Sequence, residues 1–258
     1  FIIVPMLAPA LGQLIVAVAN WRWIFLVFLA LAAVNALWLA LRQPETLLPA
    51  RRIPFAPSTI AANGLLILRH GKVMAYTLAL GFLFAALLVY VSTAPAMFHD
   101  LYGIDETFPL YFAIIALGLG LASFFNSRMV MRFGMHRLAV AALAGMIVFA
   151  GALLALTAAF DGAPPFAGFM VLCFLAICCN GLLFGNVNAL AMQSLGRVAG
   201  LGASMVSSLS SLVAVILSVT IGRFYAQSAY PLAAALLLAS IVALVLVLAA
   251  HRNQAGEI

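Results

Sequence analysis

Arg42–Lys72 reads RQPETLLPARRIPFAPSTIAANGLLILRHGK, and its reading divides the chain. Pro44, Pro49, Pro54 and Pro57 interrupt any continuous helix, because proline lacks the N–H and clashes with the preceding turn. Arg42, Arg51, Arg52, Arg69 and Lys72 load the same stretch with cations, and only its later part, Ser58 to Arg69, is mildly amphipathic. It therefore reads as a linker between two apolar bodies.

On either side the chain is made of long apolar runs. A membrane span needs about 20 mostly apolar residues, and such runs fall near 1–19 and 23–41 before the linker. After it they fall near 73–98, 108–127, 138–160, 166–194, 200–222 and 229–250. Hydrophobic residues make up 67% of the chain and charged ones 7%, where a soluble domain carries about 45–50% and about 25%. Lipid must be the solvent for most of such a chain. The runs are continuous rather than alternating, so helices satisfy the backbone and a barrel does not. The expectation is an all-α polytopic membrane protein of eight transmembrane helices. Its parts are residues 1–41 (two helices of an N-terminal bundle), 42–72 (a cytoplasmic linker), 73–250 (a six-helix bundle) and 251–258 (a cytoplasmic tail). Six helices are one half of a transporter built from two six-helix halves. On that count four helices precede Phe1, a residue that follows no initiator Met and opens no signal peptide.

Charge gives the runs a direction. Short cytoplasmic loops collect Lys and Arg, and one assignment places Arg42, Arg51, Arg52, Arg69, Lys72, Arg128, Arg132, Arg137, Arg197 and Arg252 inside, with only Arg22 and Arg223 outside. The C-terminus is then cytoplasmic. The net charge of +6 reports this orientation rather than a nucleic-acid partner. Cys173, Cys178 and Cys179 share one apolar segment with no metal-ligand spacing, so no metal or cofactor is expected.

Polar groups inside spans mark a substrate path when they face a wet cavity. Ser204, Ser207, Ser208, Ser211 and Ser218 recur on one helical face, which serves either a cavity or close helix packing. Gly181 and Gly185 form a Gly-x-x-x-Gly pair followed by Asn188, and Asn180 lies deeper in the same run. An amide there needs a partner, whether ligand or helix. Tyr90 and Thr93 precede Pro95, a kink residue, and Phe84, Tyr90 and Phe98 offer aromatic walls suited to an apolar or cationic molecule. The candidate substrate-binding residues are thus Tyr90, Thr93, Asn180, Asn188, Ser207 and Ser211. Pro5, Pro9 and Gly12 imply a bend in the first run. No Asp, Glu, Lys or Arg lies centrally in any span, and the histidines sit at the edges.

Several segments, in order, resemble the major facilitator superfamily, and within it the Bcr/CflA type of drug:proton antiporter. Pro5 to Gly12 is similar to the antiporter motif of the fifth helix, with Ala8 and Gln13 where glycines stand in the pattern. Trp21-Arg22-Trp23 resembles the opening of the sixth helix and Pro44-Glu45-Thr46-Leu47 its end, so the register is helices five to twelve. Tyr90 to Tyr102 and Gly185-Asn186-Val187-Asn188-Ala189 are similar to the seventh and tenth. Ser127 to Arg137 looks like a degenerate copy of the gating loop: Arg132 and Gly134 match, while Met131 replaces its Asp. Arg128, Arg132 and Arg137 then serve either that loop or topology alone. The resemblance implies a partial major facilitator fold that exports small organic molecules, apolar or cationic drugs, by alternating access with protons as the coupling ion. It further implies a bacterial inner-membrane protein, monomeric at full length, whose coupling acid precedes Phe1; His99 beside Asp100 is the alternative within the chain. An uptake or metabolite carrier shares the fold. An enzyme is not expected, since no nucleophile and base, paired carboxylates or His-Glu-x-x-His string is found. A channel or receptor would show a charged ring or a large soluble domain, and neither is read here.

Overall fold

The computed structural model describes residues 11–12, 14–44 and 56–252, with the side chains of Pro57, Thr59 and Arg197 left aside. Among them the regular structure is helical throughout: α1 (Arg22–Arg42), α2 (Pro57–Arg69), α3 (Gly71–Tyr102), α4 (Phe108–Phe133), α5 (Met135–Ala159), α6 (Phe166–Met192), α7 (Ala199–Gly222) and α8 (Tyr230–Arg252), with a short 3₁₀ turn at Gly196–Val198. All but α2 are long and apolar enough to span a bilayer, which makes seven such helices among the described residues. Of the run expected at 1–19, residues 1–10 and 13 lie outside them, and 11–12 and 14–18 are helical.

The ends of these helices follow from local chemistry. His70 caps α3, its Nδ1 accepting from the Val73 N–H at 3.4 Å. Gly103, in the left-handed region at φ 62°, stops it, and the N–H groups of Gly103 and Ile104 return to the carbonyls of His99 and Phe98, each at 2.9 Å. α3 stays helical across Pro95 and runs 32 residues, about 48 Å at 1.5 Å per residue. Proline is tolerated in the first turn, which is why Pro57 can open α2 and Pro109 can stand second in α4.

One boundary departs from expectation. Ser127–Phe133, read from the sequence as loop, continues α4, and α5 starts at Met135. Arg128 and Arg132 end the apolar run but do not end the helix, because charged side chains favour helix well enough. Gly134 alone breaks it, at φ 79° and ψ 155°.

Consecutive helices from α3 to α8 run antiparallel. One end of the bundle gathers Lys72, Arg128, Arg132, Arg137 and Arg252, and the other gathers Asp100, Asp105, Glu106 and Asp161; these are the basic and acidic ends below. α3 is central and packs on α6, α7 and α8, while α5 packs on α6 and α8, and α4 chiefly on α6. Small residues permit this closeness. A Cβ on Gly81 would lie 2.8 Å from Val213 Cβ, and one on Gly181 would lie 2.7 Å from the Leu119 carbonyl oxygen. α7 buries Gly202, Val206, Ser210, Ala214 and Ser218, a ridge repeating every four residues. α1 buries none of its residues.

Candidate functional site

Between α3, α4, α6 and α7 lies a cavity of about 560 Å³, within the roughly 300–1,000 Å³ range of small-molecule sites. α3 contributes Leu80, Phe84 and Leu87, and α4 contributes Leu119 and Ser123. α6 adds Gly181, Phe184, Gly185 and Asn188, and α7 adds Val206, Ser207, Ser210 and Ser211. Judged by position along each helix, the cavity lies in the half of the bundle nearer the basic end. Phe84 and Phe184 meet edge to face across it, ring centroids 5.7 Å apart. The polar groups are hydroxyls and one amide, and no ionisable side chain lines the cavity among the described residues. Such a surface suits an organic molecule that is largely apolar and carries a few hydrogen-bonding atoms or a diffuse cation, the last through the aromatic rings.

The six candidate substrate residues divide evenly. Asn188, Ser207 and Ser211 line the cavity. Tyr90, Thr93 and Asn180 lie inside helix packing. Tyr90 is 2% exposed and stacks on Phe112 at 5.4 Å. Thr93 donates to the Val89 carbonyl at 2.7 Å and to Met97 Sδ at 3.6 Å. Asn180 Nδ2 donates to the Leu83 carbonyl at 3.1 Å, tying α6 to α3. The Tyr90 hydroxyl and Asn180 Oδ1 have no hydrogen-bond partner among the described residues. The serine stripe separates into two uses: Ser207 and Ser211 face the cavity, whereas Ser218 belongs to the packing ridge and donates to the Val215 carbonyl at 3.1 Å.

Sequence reasoning missed Ser123, Ser210 and Phe184 as lining residues. Phe184 was within reach, since it lies four residues from both Asn180 and Asn188 and so shares their side of α6. Ser123 is a lone hydroxyl in an apolar run and gave no signal.

The motif residues stand apart from the cavity. The Arg128 guanidinium lies over the Phe124 ring at 5.1 Å and that of Arg132 over Phe133 at 5.3 Å. Arg137 is exposed in the first turn of α5, one turn after Gly134. Arg22 stacks over Trp21 at 5.0 Å. Gly12 is half-buried, and Pro5 and Pro9 lie outside the described residues. At the acidic end His99 Nδ1 meets Asp105 Oδ1 at 2.7 Å, and the Tyr225 hydroxyl donates to Asp100 Oδ2 at 2.9 Å.

The family model described as Major Facilitator Superfamily matches residues 1–218. The chain belongs to the Major Facilitator Superfamily. It is a multi-pass membrane protein of that superfamily, with the partial fold the eight apolar runs imply. It is 28% identical over 262 residues to an uncharacterized MFS-type transporter, YdgK, of Bacillus subtilis, covering 99% of this chain and 63% of the relative. It is 29% identical to a bicyclomycin resistance protein homolog of Haemophilus influenzae, covering 90% of this chain and 58% of that protein. It is 32% identical to the multidrug transporter MdfA of Escherichia coli, covering 50% of this chain and 33% of that protein. The chain thus spans about three fifths of the length of the first two relatives.

Proposed function

We propose that this chain supplies the C-terminal six-helix bundle, and the two helices before it, of an inner-membrane exporter of small organic molecules. The cavity of about 560 Å³ carries the reading. Its Phe84 and Phe184 walls fit apolar or cationic drugs, and its hydroxyls and single amide fit a range of acceptors rather than one ligand. The relatives named for bicyclomycin resistance and multidrug transport support the same substrate class. The protein acts as a monomer. Transport proceeds by alternating access, the bundle rocking against its N-terminal counterpart around the cavity. The basic end faces the cytoplasm, by the positive-inside rule, which puts the C-terminus there too. Export is coupled to protons, and the proton carrier lies outside this lining, which holds no titratable group among the described residues.

The test is drug accumulation in an efflux-deficient bacterial strain expressing the full-length protein, with and without a protonophore. Accumulation should fall on expression and recover with the protonophore. Ser207→Trp, which fills the cavity, should abolish the fall, and Phe84→Ala should weaken it for aromatic cations most. Unchanged accumulation across a broad compound panel would sink the export reading.

A further inference from the structure

At the edge of the cavity two amides meet between α4 and α6, and their geometry fixes which way round each one stands. Asn186 Nδ2 donates to the Leu182 carbonyl at 2.8 Å and to Asn126 Oδ1 at 2.6 Å. A backbone carbonyl only accepts, so the Asn186 atom facing it must be the nitrogen. The Asn126 atom facing that same nitrogen must then be its oxygen, and the NH₂ of Asn126 is turned the other way. There it lies 3.7 Å from the position a Cβ would take on Gly185, the nearest atom of another helix to that point. Gly185 lines the cavity, as does Ser123, one turn before Asn126 on α4. Asn126 is half-buried, and its nitrogen has no hydrogen-bond partner among the described residues. Asn126 is not itself among the lining residues, but Gly185, which is, places no side chain over this donor.

We propose that Asn126 is a specificity-determining residue, its Nδ2 donating to an acceptor oxygen on the transported molecule, with Asn186 as the positioning residue that holds the amide in that sense. The inference rests on the cavity being the substrate site. It adds a directed donor to a lining in which one serine already donates along its own helix: Ser210 gives its proton to the Ser207 carbonyl at 3.1 Å. A hydroxyl so engaged offers a ligand mainly acceptor capacity, whereas the Asn126 amide offers a proton.

The experiment uses the full-length protein and a pair of neutral compounds of one scaffold, one bearing a carbonyl and the other a methylene in its place, with apparent transport affinity measured for each. Asn126→Leu should weaken transport of the carbonyl compound by about three- to tenfold, the worth of one neutral hydrogen bond, and leave the methylene compound unchanged. Gly185→Ala, which keeps both amides while its added methyl has room and covers the nitrogen, should lower the ratio of carbonyl to methylene transport affinity by a similar factor. Asn186→Leu should lower the discrimination less, since it leaves the Asn126 amide free to turn. An equal loss for both compounds in all three variants would mean a packing role and overturn the proposal. If Ser207→Trp blocks both compounds while these variants change neither, the cavity stands and the donor falls. If Ser207→Trp itself changes neither, the cavity reading fails and takes the proposal with it.

Discussion

At the acidic end of the bundle, Phe98 is fully buried and meets Phe108 at 5.4 Å, Phe169 at 6.0 Å, Phe166 at 6.1 Å, and Tyr102 and Tyr111 at 6.2 Å. These rings come from α3, α4 and α6 and their flanks. Hydrogen bonds then lace the loops: the Tyr102 hydroxyl donates to the Pro164 carbonyl at 3.0 Å, Tyr225 donates to Asp100, and the Ala229 N–H donates to the Gly162 carbonyl at 2.8 Å. At the basic end the guanidinium groups of Arg128 and Arg132 lie on rings of their own helix. The imidazoles of His136 and His251 stack at 3.7 Å. Among the described residues the side-chain hydrogen bond between helices closest to this end, Asn186 to Asn126, lies about two turns in from the end of α4. One end is fastened across helices, and the other is held by packing. The cavity lies nearer the second. Under the proposed alternating access, the acidic end moves as a unit and the basic end is where helices part.

The largest effect that would break this contrast is at Phe98. Phe98→Ala removes the hub of the aromatic group and should cost about 3–5 kcal/mol, the usual range for a buried Phe. Phe124→Ala, at a ring 57% exposed, should cost under about 1 kcal/mol. Thermal unfolding of the purified protein in detergent checks both, and equal losses would mean that the two ends are fastened alike.

Next come two glycines with positive φ. Gly162, at φ 97°, would bring an added Cβ to 3.0 Å from Ser228 Cβ, whereas Gly134, at φ 79°, has nothing within 4 Å. Both substitutions by alanine carry a positive-φ backbone cost of about 1–3 kcal/mol, but only Gly162→Ala adds a contact that loops tied together cannot relieve. Gly162→Ala should therefore lower the unfolding temperature more than Gly134→Ala. The reverse order would place the rigid end at the α4–α5 junction.

Much of the architecture was legible before any coordinates, because apolar run length is a direct reading of bilayer thickness and the charged residues sort to the two ends. The error fell at 127–133, where hydropathy ends but hydrogen bonding does not: Arg128 and Arg132 mark where lipid stops, and only Gly134 marks where helix stops. The cavity was half legible. Asn188, Ser207 and Ser211 were found because a polar residue in a span is conspicuous. Tyr90 and Asn180 were equally conspicuous and serve packing, since which face of α3 or α6 turns inward depends on how small residues such as Gly81 and Gly181 let the helices approach. Asn126 stood in a run that gave no reason to choose it; its meaning comes only from facing Asn186.

The link between Tyr225 and Asp100 is a smaller test of the fastened end. Tyr225 lies in the loop before α8, where partial burial, then the hydrogen bond to Asp100 and its charge, raise the phenol above its ordinary value of 10.0. A raised folded-state value means that the contribution is fully present below the unfolded value and is lost as pH climbs above it. Stability of the native protein should thus fall more steeply than that of Tyr225→Phe between about pH 10 and higher values. Identical slopes would remove Tyr225 from the lacing.

The smallest effects should be at the basic end. Arg128→Ala and Arg132→Ala each remove a cation–π contact at an exposed site, about 0.5–1 kcal/mol at most, and double substitution should shift unfolding by little more than the sum, since each guanidinium sits on a different ring. If these residues serve topology alone, transport will follow the small stability change. If they act as the latch their place beside Gly134 resembles, transport will fall far more than stability, and an end that looks loosely built will prove to be one whose fastening is made to come undone. A double variant with wild-type stability and lost export would decide for the latch, and one that exports normally would decide against it.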